Sequence, residues 1–204
     1  MRKLVVVNMM SLDGFYEGPG RDVTALPFED GRVFNEYNLE RMKAAGTVLL
    51  GAKSYAVFRE YWPPIEKESA KSATEREFSK LYNTIDKVVV SDHATLPPKA
   101  HPWATTTRIV KRADAHPEIR KLKRENGNEI VMWGSRTLWH DLITHGLVDE
   151  LHLFVGAAVL GDGTPMFQNH TAPLRRIETR VPDGSNNVLV CYAVPDGGFE
   201  SVQR

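Results

Sequence analysis

Short apolar runs alternate with longer amphipathic stretches over the first three quarters of the chain. Leu4 to Met10 is apolar apart from Asn8 and predicts a buried strand. Ser11-Leu12-Asp13-Gly14 follows as a turn, and the glycines and prolines of Phe15 to Pro27 predict a long loop. Phe34, Tyr37 and Arg41 recur at helical spacing, which predicts a helix over about Glu29 to Ala45, with Gly46 ending it. Thr47 to Leu50 reads as a second strand, Gly51 as a turn and Ala52 to Tyr61 as a helix stopped by Pro63-Pro64. Ile65 to Ala73 is charged and weakly patterned, so it reads as a solvated insert. Thr74-Glu75-Arg76-Glu77 has capping-box spacing ahead of a helix carrying Phe78, Leu81 and Tyr82.

The same rhythm continues. Lys87 to Ser91 predicts a strand, Asp92 to Ala104 a proline-rich loop and Thr105 to Val110 another strand. Asp114 caps a helix through Ile119 and Leu122 that ends at Asn126-Gly127, and Glu129 to Trp133 is the next strand. After Gly134, the residues Leu138, Trp139, Leu142 and Ile143 form one apolar helix face, ahead of a strand over Leu147 to Val155. Leu174 to Val181 and Asn187 to Val194 flank Pro182-Asp183-Gly184-Ser185 and read as a hairpin. Strands alternating with helices, then strands in succession, predict a three-layer α/β domain over 1–204. Its sheet should be mainly parallel with an antiparallel C-terminal edge.

Composition narrows the function. Lysine plus arginine equals aspartate plus glutamate at 26 each, so no global field collects nucleic acid. No apolar run approaches the roughly 20 residues that cross a bilayer, and the basic-then-apolar start is too short for a signal peptide. A soluble, cytoplasmic protein is expected. Cys191 is the sole cysteine and sits in an apolar run, so it reads as buried and inert. With one cysteine and no His-Glu-x-x-His motif, no metal is expected. His140 and His145 read as helix-end or solvent-facing residues, and Trp103 and Trp139 as anchors.

Two turns share one design. Gly51-Ala52-Lys53-Ser54 and Gly134-Ser135-Arg136-Thr137 each follow an apolar strand and open a helix. Each offers backbone N–H groups, a hydroxyl and a cation where an open parallel sheet binds its ligands. A pyrophosphate spanning both turns and two ordinary tight turns explain the pattern equally well. Ser91-Asp92-His93 ends the third strand; His93 and Lys53 would meet a 2′-phosphate, which favours NADPH over NADH. Gly-x-Gly-x-x-Gly, Walker A and Gly-x-Ser-x-Gly are all absent. The candidate acids are Asp13, Glu29, Asp30, Asp149, Glu150 and Asp162. Asp13 and Asp162 lie in turns, where each either serves chemistry or bonds its own backbone; Asp149 and Glu150 read as structural.

Together these pieces resemble the dihydrofolate reductase superfamily, and within it the RibD C-terminal family, the reductase domain of bacterial riboflavin biosynthesis. The resemblance rests on Ser11-Leu12-Asp13-Gly14, Leu50-Gly51-Ala52-Lys53-Ser54-Tyr55, Trp133-Gly134-Ser135, Gly146-Leu147-Val148-Asp149-Glu150-Leu151 and Val159-Leu160-Gly161-Asp162-Gly163, in that order over residues 2–195. It implies a mixed, mainly parallel eight-stranded sheet with helices on both faces, NADPH as hydride donor, a small pterin- or pyrimidine-like substrate and a homodimer. Carried over by position, Gly51, Lys53 and Ser54 hold one side of the cofactor phosphates, and Gly134, Ser135, Arg136 and Thr137 the other. Ser91 lies by the adenosine end and Met132 or Trp133 near the nicotinamide. Met9, Met10 and Asp13 line the substrate side, with Asp13 or Asp162 delivering the proton.

The chain departs from the family in three places. Asn35 or Asn38 stands where folate reductases place a carboxylate, and an amide forms no ion pair with a protonated pterin. Ala52 replaces the arginine that usually follows the second-strand glycine. Riboflavin reductases normally adjoin a zinc deaminase, and residues 1–204 are not expected to contain one. Three readings follow: an NADPH-dependent reductase of another small substrate, a riboflavin-pathway aminouracil reductase, and a non-catalytic nucleotide-binding or dimerisation module.

Overall fold

The computed structural model describes residues 1–26, 32–168 and 170–201. Its strands are β1 (Leu4–Met10), β2 (Phe15–Glu17), β3 (Ala45–Gly51), β4 (Asp86–Val90), β5 (Thr107–Val110), β6 (Glu129–Trp133), β7 (Glu150–Val155), β8 (Thr164–Pro165), β9 (His170–Thr171), β10 (Arg175–Arg180), β11 (Val188–Ala193) and β12 (Glu200–Ser201). Its helices are α1 (Arg32–Ala44), α2 (Ala52–Ile65), α3 (Ala73–Thr84), α4 (Ala115–Arg124) and α5 (Arg136–Thr144). Eight strands form one sheet in the order β10-β11-β7-β1-β6-β3-β4-β5. The α/β class, the mainly parallel sheet and the C-terminal antiparallel hairpin are as expected. Among the described residues, no helix is long and apolar enough to cross a membrane.

The chain divides into two compact units that interleave along the sequence: Met1–Leu4 with Asn35–Trp139, and Val5–Phe34 with His140–Arg204. In the first unit β3 pairs in parallel with both β6 and β4, and β4 with β5. Val48, Leu49, Leu50, Val88, Val89, Ile130 and Val131 are buried, so these strands read as continuous apolar runs rather than alternating ones. An aromatic cluster of Trp62, Phe78, Tyr82, Trp103 and Trp133 packs with ring centroids 4.5–6.3 Å apart. Within it lies Lys87, 1% exposed, whose Nζ donates to the Ile85 carbonyl at 2.7 Å and to Thr106 Oγ1 at 3.0 Å. That ammonium sits 4.7 Å from the centre of the Trp103 ring. Burial pushes its pKa down to about 7.

In the second unit β7 pairs in parallel with β1 and antiparallel with β11, and β11 pairs antiparallel with β10. Val5, Val6, Val7, Leu151, Leu153, Phe154, Leu189 and Cys191 are buried there. The chain's last described stretch docks on α5, where the Phe199 N–H reaches the Ile143 carbonyl at 3.1 Å.

Several local expectations change. The loop after the first turn carries β2, which pairs with β8, and two short 3-10 turns. The start expected for the first helix, with Glu29 and Asp30, lies outside the described residues. Gly46 does not end that helix; it belongs to β3, because the Arg2 side chain crosses there. A Cβ at 46 would stand 3.2 Å from Arg2 Nη2, which itself bonds Thr47 Oγ1 at 2.7 Å. Pro63 and Pro64 do not stop α2, which runs on to Ile65. Pro63 has no N–H for the carbonyl of Arg59, and His101 Nε2 takes that carbonyl instead at 3.1 Å. Ile65 is buried rather than part of a solvated insert. The capping box lies two residues earlier than expected, with Ser72 and Glu75 exchanging bonds at 3.0 and 3.1 Å. Asp114 stands at the N-cap of α4 but makes no side-chain capping bond.

Candidate functional site

In the first unit, the turns after the paired strands β3 and β6 are tied to each other. The Gly51 N–H donates to Ser135 Oγ at 2.9 Å, and the Ser135 N–H donates to Ser54 Oγ at 2.8 Å. Holding that geometry puts Gly134 at φ 60° and Ser135 at φ 53°, both left-handed. A serine rarely adopts that conformation, and such outliers gather at ligand sites.

Gly51 itself is extended at φ −84°, a conformation open to any residue, so the turn does not require glycine there. A Cβ on Gly51 would stand 3.6 Å from Ser135 Cβ, Ser135 Oγ and Leu138 Cβ, filling the space beside the second turn. Helix α2 begins immediately afterwards with no side chain capping it. Its first amides, of Ala52, Lys53 and Ser54, are beyond the reach of the helix's own carbonyls. Lys53 is exposed and Arg136 half-buried, so two cations flank an uncapped helix start. A phosphate suits this donor set.

Other candidates in this unit are more enclosed. Met132 is fully buried, and Trp133 is 6% exposed with its indole N–H donating to Asn38 Oδ1 at 2.8 Å. Asn38, placed by resemblance on the substrate side, therefore holds that indole from within the core, whereas Asn35 is half-buried. Ser91 Oγ accepts the N–H groups of His93 and Ala94 at 3.1 and 2.8 Å and so shapes the turn after β4. His93 is exposed. Sequence reasoning missed Lys111 and Arg112. They follow β5, the neighbour of β4, and bind Asp92 through Lys111 Nζ to its carbonyl at 2.9 Å and the Arg112 N–H to Oδ1 at 3.0 Å. The signal was present in Val110-Lys111-Arg112, two cations closing a strand.

In the second unit Met9 and Met10 end β1 and are half-buried. Asp13 faces the loop after β7. Its carboxylate accepts the Ser11 hydroxyl at 2.6 Å, the Leu160 N–H at 3.1 Å and the Gly161 N–H at 2.8 Å. The Ser11 hydroxyl, followed by the Gly161 and Leu160 amides, holds its pKa below the usual carboxylate value. Asp162 is exposed, and its Oδ1 accepts the Gly163 N–H at 2.7 Å. His140 Nε2 meets the Met166 carbonyl at 2.7 Å, and His145 is exposed. Glu150 is buried and bonds His152 Nε2 at 2.9 Å, as a structural residue would.

Comparison with known proteins identifies the fold and the family. The chain is 28% identical over 166 residues to the uncharacterized protein YyaP of Bacillus subtilis strain 168, covering 81% of this chain and 80% of that one. It superposes on a RibD of Acinetobacter baumannii with a TM-score of 0.68 at 14% identity, covering 95% of this chain and 58% of that one. It superposes on a dihydrofolate reductase of Enterococcus faecalis, solved with NADP(H) and RAB-propyl, with a TM-score of 0.56 at 13% identity, covering 94% and 95%. The chain thus spans little more than half the length of that RibD. The model of the RibD C-terminal domain matches residues 2–189, and the chain belongs to that family.

Proposed function

We propose that the protein is a reductase that uses NADPH. The observation that carries this reading is the pair of clasped turns after β3 and β6, with space beside Gly51 that a single Cβ would fill. Gly51 and the Ala52, Lys53 and Ser54 amides bind one side of the pyrophosphate; Gly134, Ser135, Arg136 and Thr137 bind the other. Lys53, Lys111 and Arg112 supply the positive charge for the 2′-phosphate in place of the arginine that Ala52 replaces. NADPH, when bound, supplies the hydride, while the chain positions it and excludes water. Because Met132 and Trp133 are buried, they meet the nicotinamide through their backbone.

The acceptor is a small, flat, pterin- or pyrimidine-like molecule. Membership of the RibD C-terminal family favours an aminouracil of the riboflavin-pathway type, and the core position of Asn38 disfavours a folate. Of the two candidate acids, Asp162 is the one with an oxygen left to contact a substrate or a water. The Asp13 carboxylate is taken up by hydrogen bonds within its own turn and loop, whereas among the described residues Asp162 Oδ2 has no partner and is open to a bound water.

Tryptophan quenching by NADPH and by NADH tests the cofactor. Binding at micromolar NADPH with weaker NADH is expected; no quenching at high micromolar NADPH would sink the reading. Gly51→Ala is expected to weaken NADPH about tenfold or more, a loss of roughly 1.4 kcal/mol. It is a cleaner test than Gly134→Val, which would force valine to φ 60°. NADPH oxidation is expected with the ribosylaminopyrimidinone of riboflavin synthesis, and turnover of dihydrofolate at ordinary enzyme rates would overturn the substrate class.

A further inference from the structure

Resting on that reading of the site, we infer that Ser54 and Ser135 form a reciprocal clasp that turns both hydroxyls into hydrogen-bond donors aimed at an acceptor-only anion. A hydroxyl oxygen that accepts an N–H directs its own proton elsewhere. Ser135 Oγ accepts from Gly51 and Ser54 Oγ accepts from Ser135, and among the described residues neither hydroxyl donates to another group. Both protons are therefore available. A fully ionised phosphate oxygen has lone pairs and no proton, so it matches two such donors, and each N–H···O–H chain strengthens the outer bond. A ligand that presents a hydroxyl at the same place gains less.

The second hydroxyl depends on the first. Ser135 stands at φ 53°, which a serine keeps only when its surroundings enforce it. The Ser54 oxygen fixes the Ser135 N–H, and the Ser135 oxygen fixes the Gly51 N–H. Loss of Ser54 Oγ frees the Ser135 peptide, so the Ser135 hydroxyl swings out of place as well. Ser54 is thus a positioning residue for Ser135, and the Ser135 hydroxyl for the Gly51 amide, in addition to any contact with the anion.

The test compares the wild type with Ser54→Ala, Ser135→Ala, the double variant and Ser54→Thr. Each is titrated with NADPH, with inorganic pyrophosphate and with 2′-AMP, which carries the adenosine end and no pyrophosphate. Each alanine variant is expected to weaken NADPH and pyrophosphate about tenfold. The double variant should be no weaker than Ser54→Ala, Ser54→Thr should bind as the wild type does, and 2′-AMP affinity should not move. Losses that multiply in the double variant would show two independent hydroxyls and overturn the clasp. Unchanged single variants, or an equal loss of 2′-AMP, would overturn it too. Wild-type binding of pyrophosphate without NADPH would refute the cofactor while the variants still decide the clasp; binding of neither would refute both.

Discussion

Each unit ties a turn to a loop across neighbouring strands, and the two ties leave different chemistry behind. In the first unit neutral hydroxyls join the turns after β3 and β6, and both keep a proton to give. In the second, one carboxylate joins the turn after β1 to the loop after β7, and its lone pairs are spent on Ser11, Leu160 and Gly161. The residue type most readily taken for catalytic is thus the one the fold has consumed. The serines, which look like turn formers, retain the capacity to bind. An ionised side chain in a loop is a weak sign of chemistry until its partners are counted.

Substitutions can break this contrast, beginning with the most damaging. The loop joined to Asp13 is also pinned at Gly163, where φ is 142° and a Cβ would fall on the Glu17 carbonyl oxygen. Gly163→Ala should cost about 2–4 kcal/mol in urea unfolding; a tolerated alanine would mean the loop is slack and Asp13 less committed than argued. Lys87 is a cation consumed in the same way. Its folded pKa of about 7 lies below the ordinary 10.5, so the folded state disfavours its charge. That penalty is complete below about pH 7 and lifts as pH rises towards 10.5. Wild-type stability should rise by about 2 kcal/mol over that window, less than the whole shift converts to, because the Trp103 face favours the ammonium. Lys87→Met should flatten the rise, and an unchanged slope would assign it to another group.

Asp13→Asn probes the consumed carboxylate directly. A depressed pKa gives stability that is present above the usual 3.8 and lost as pH falls through the folded value. The variant should lose that acid limb and exchange its Leu160 and Gly161 amides faster, with NADPH affinity unchanged. A fall in NADPH affinity would erase the distinction between the two ties. Gly51→Ala should have the smallest effect on stability, within about 0.5 kcal/mol, because the Cβ makes ordinary contacts. A large loss there would show that the fold, not a ligand, requires that glycine.

The strands and the paired turns were legible because apolar runs and strand-glycine-helix junctions are local patterns. What stayed hidden depended on partners distant in sequence. The continuation of α2 past its prolines needs His101, and the strand position of Gly46 needs Arg2. Asn38 looked available to a substrate because nothing near it in sequence announces the Trp133 indole. The bonds of Asp13 to the Leu160 and Gly161 amides join residues 147 and 148 positions apart, which no local pattern announces. Lys111 and Arg112 were visible as cations, but their relevance follows from β5 lying beside β4.

The interleaving of the two units bears on how the chain is made. Every strand of the first unit's parallel set lies between residues 45 and 133, so that set can assemble while the remainder is still being translated. The second unit has its opening strand near the start of the chain, but β7 and β11 follow only at residues 150–193. At about 5–20 residues per second, β1 waits on the order of ten seconds or more for its sheet neighbours β6 and β7 on the emerging chain. Its run Leu4-Val5-Val6-Val7 is strongly apolar, and an unpaired strand of that kind is prone to aggregate. Slowing translation before residue 150 should therefore lower soluble yield more than slowing it after residue 193.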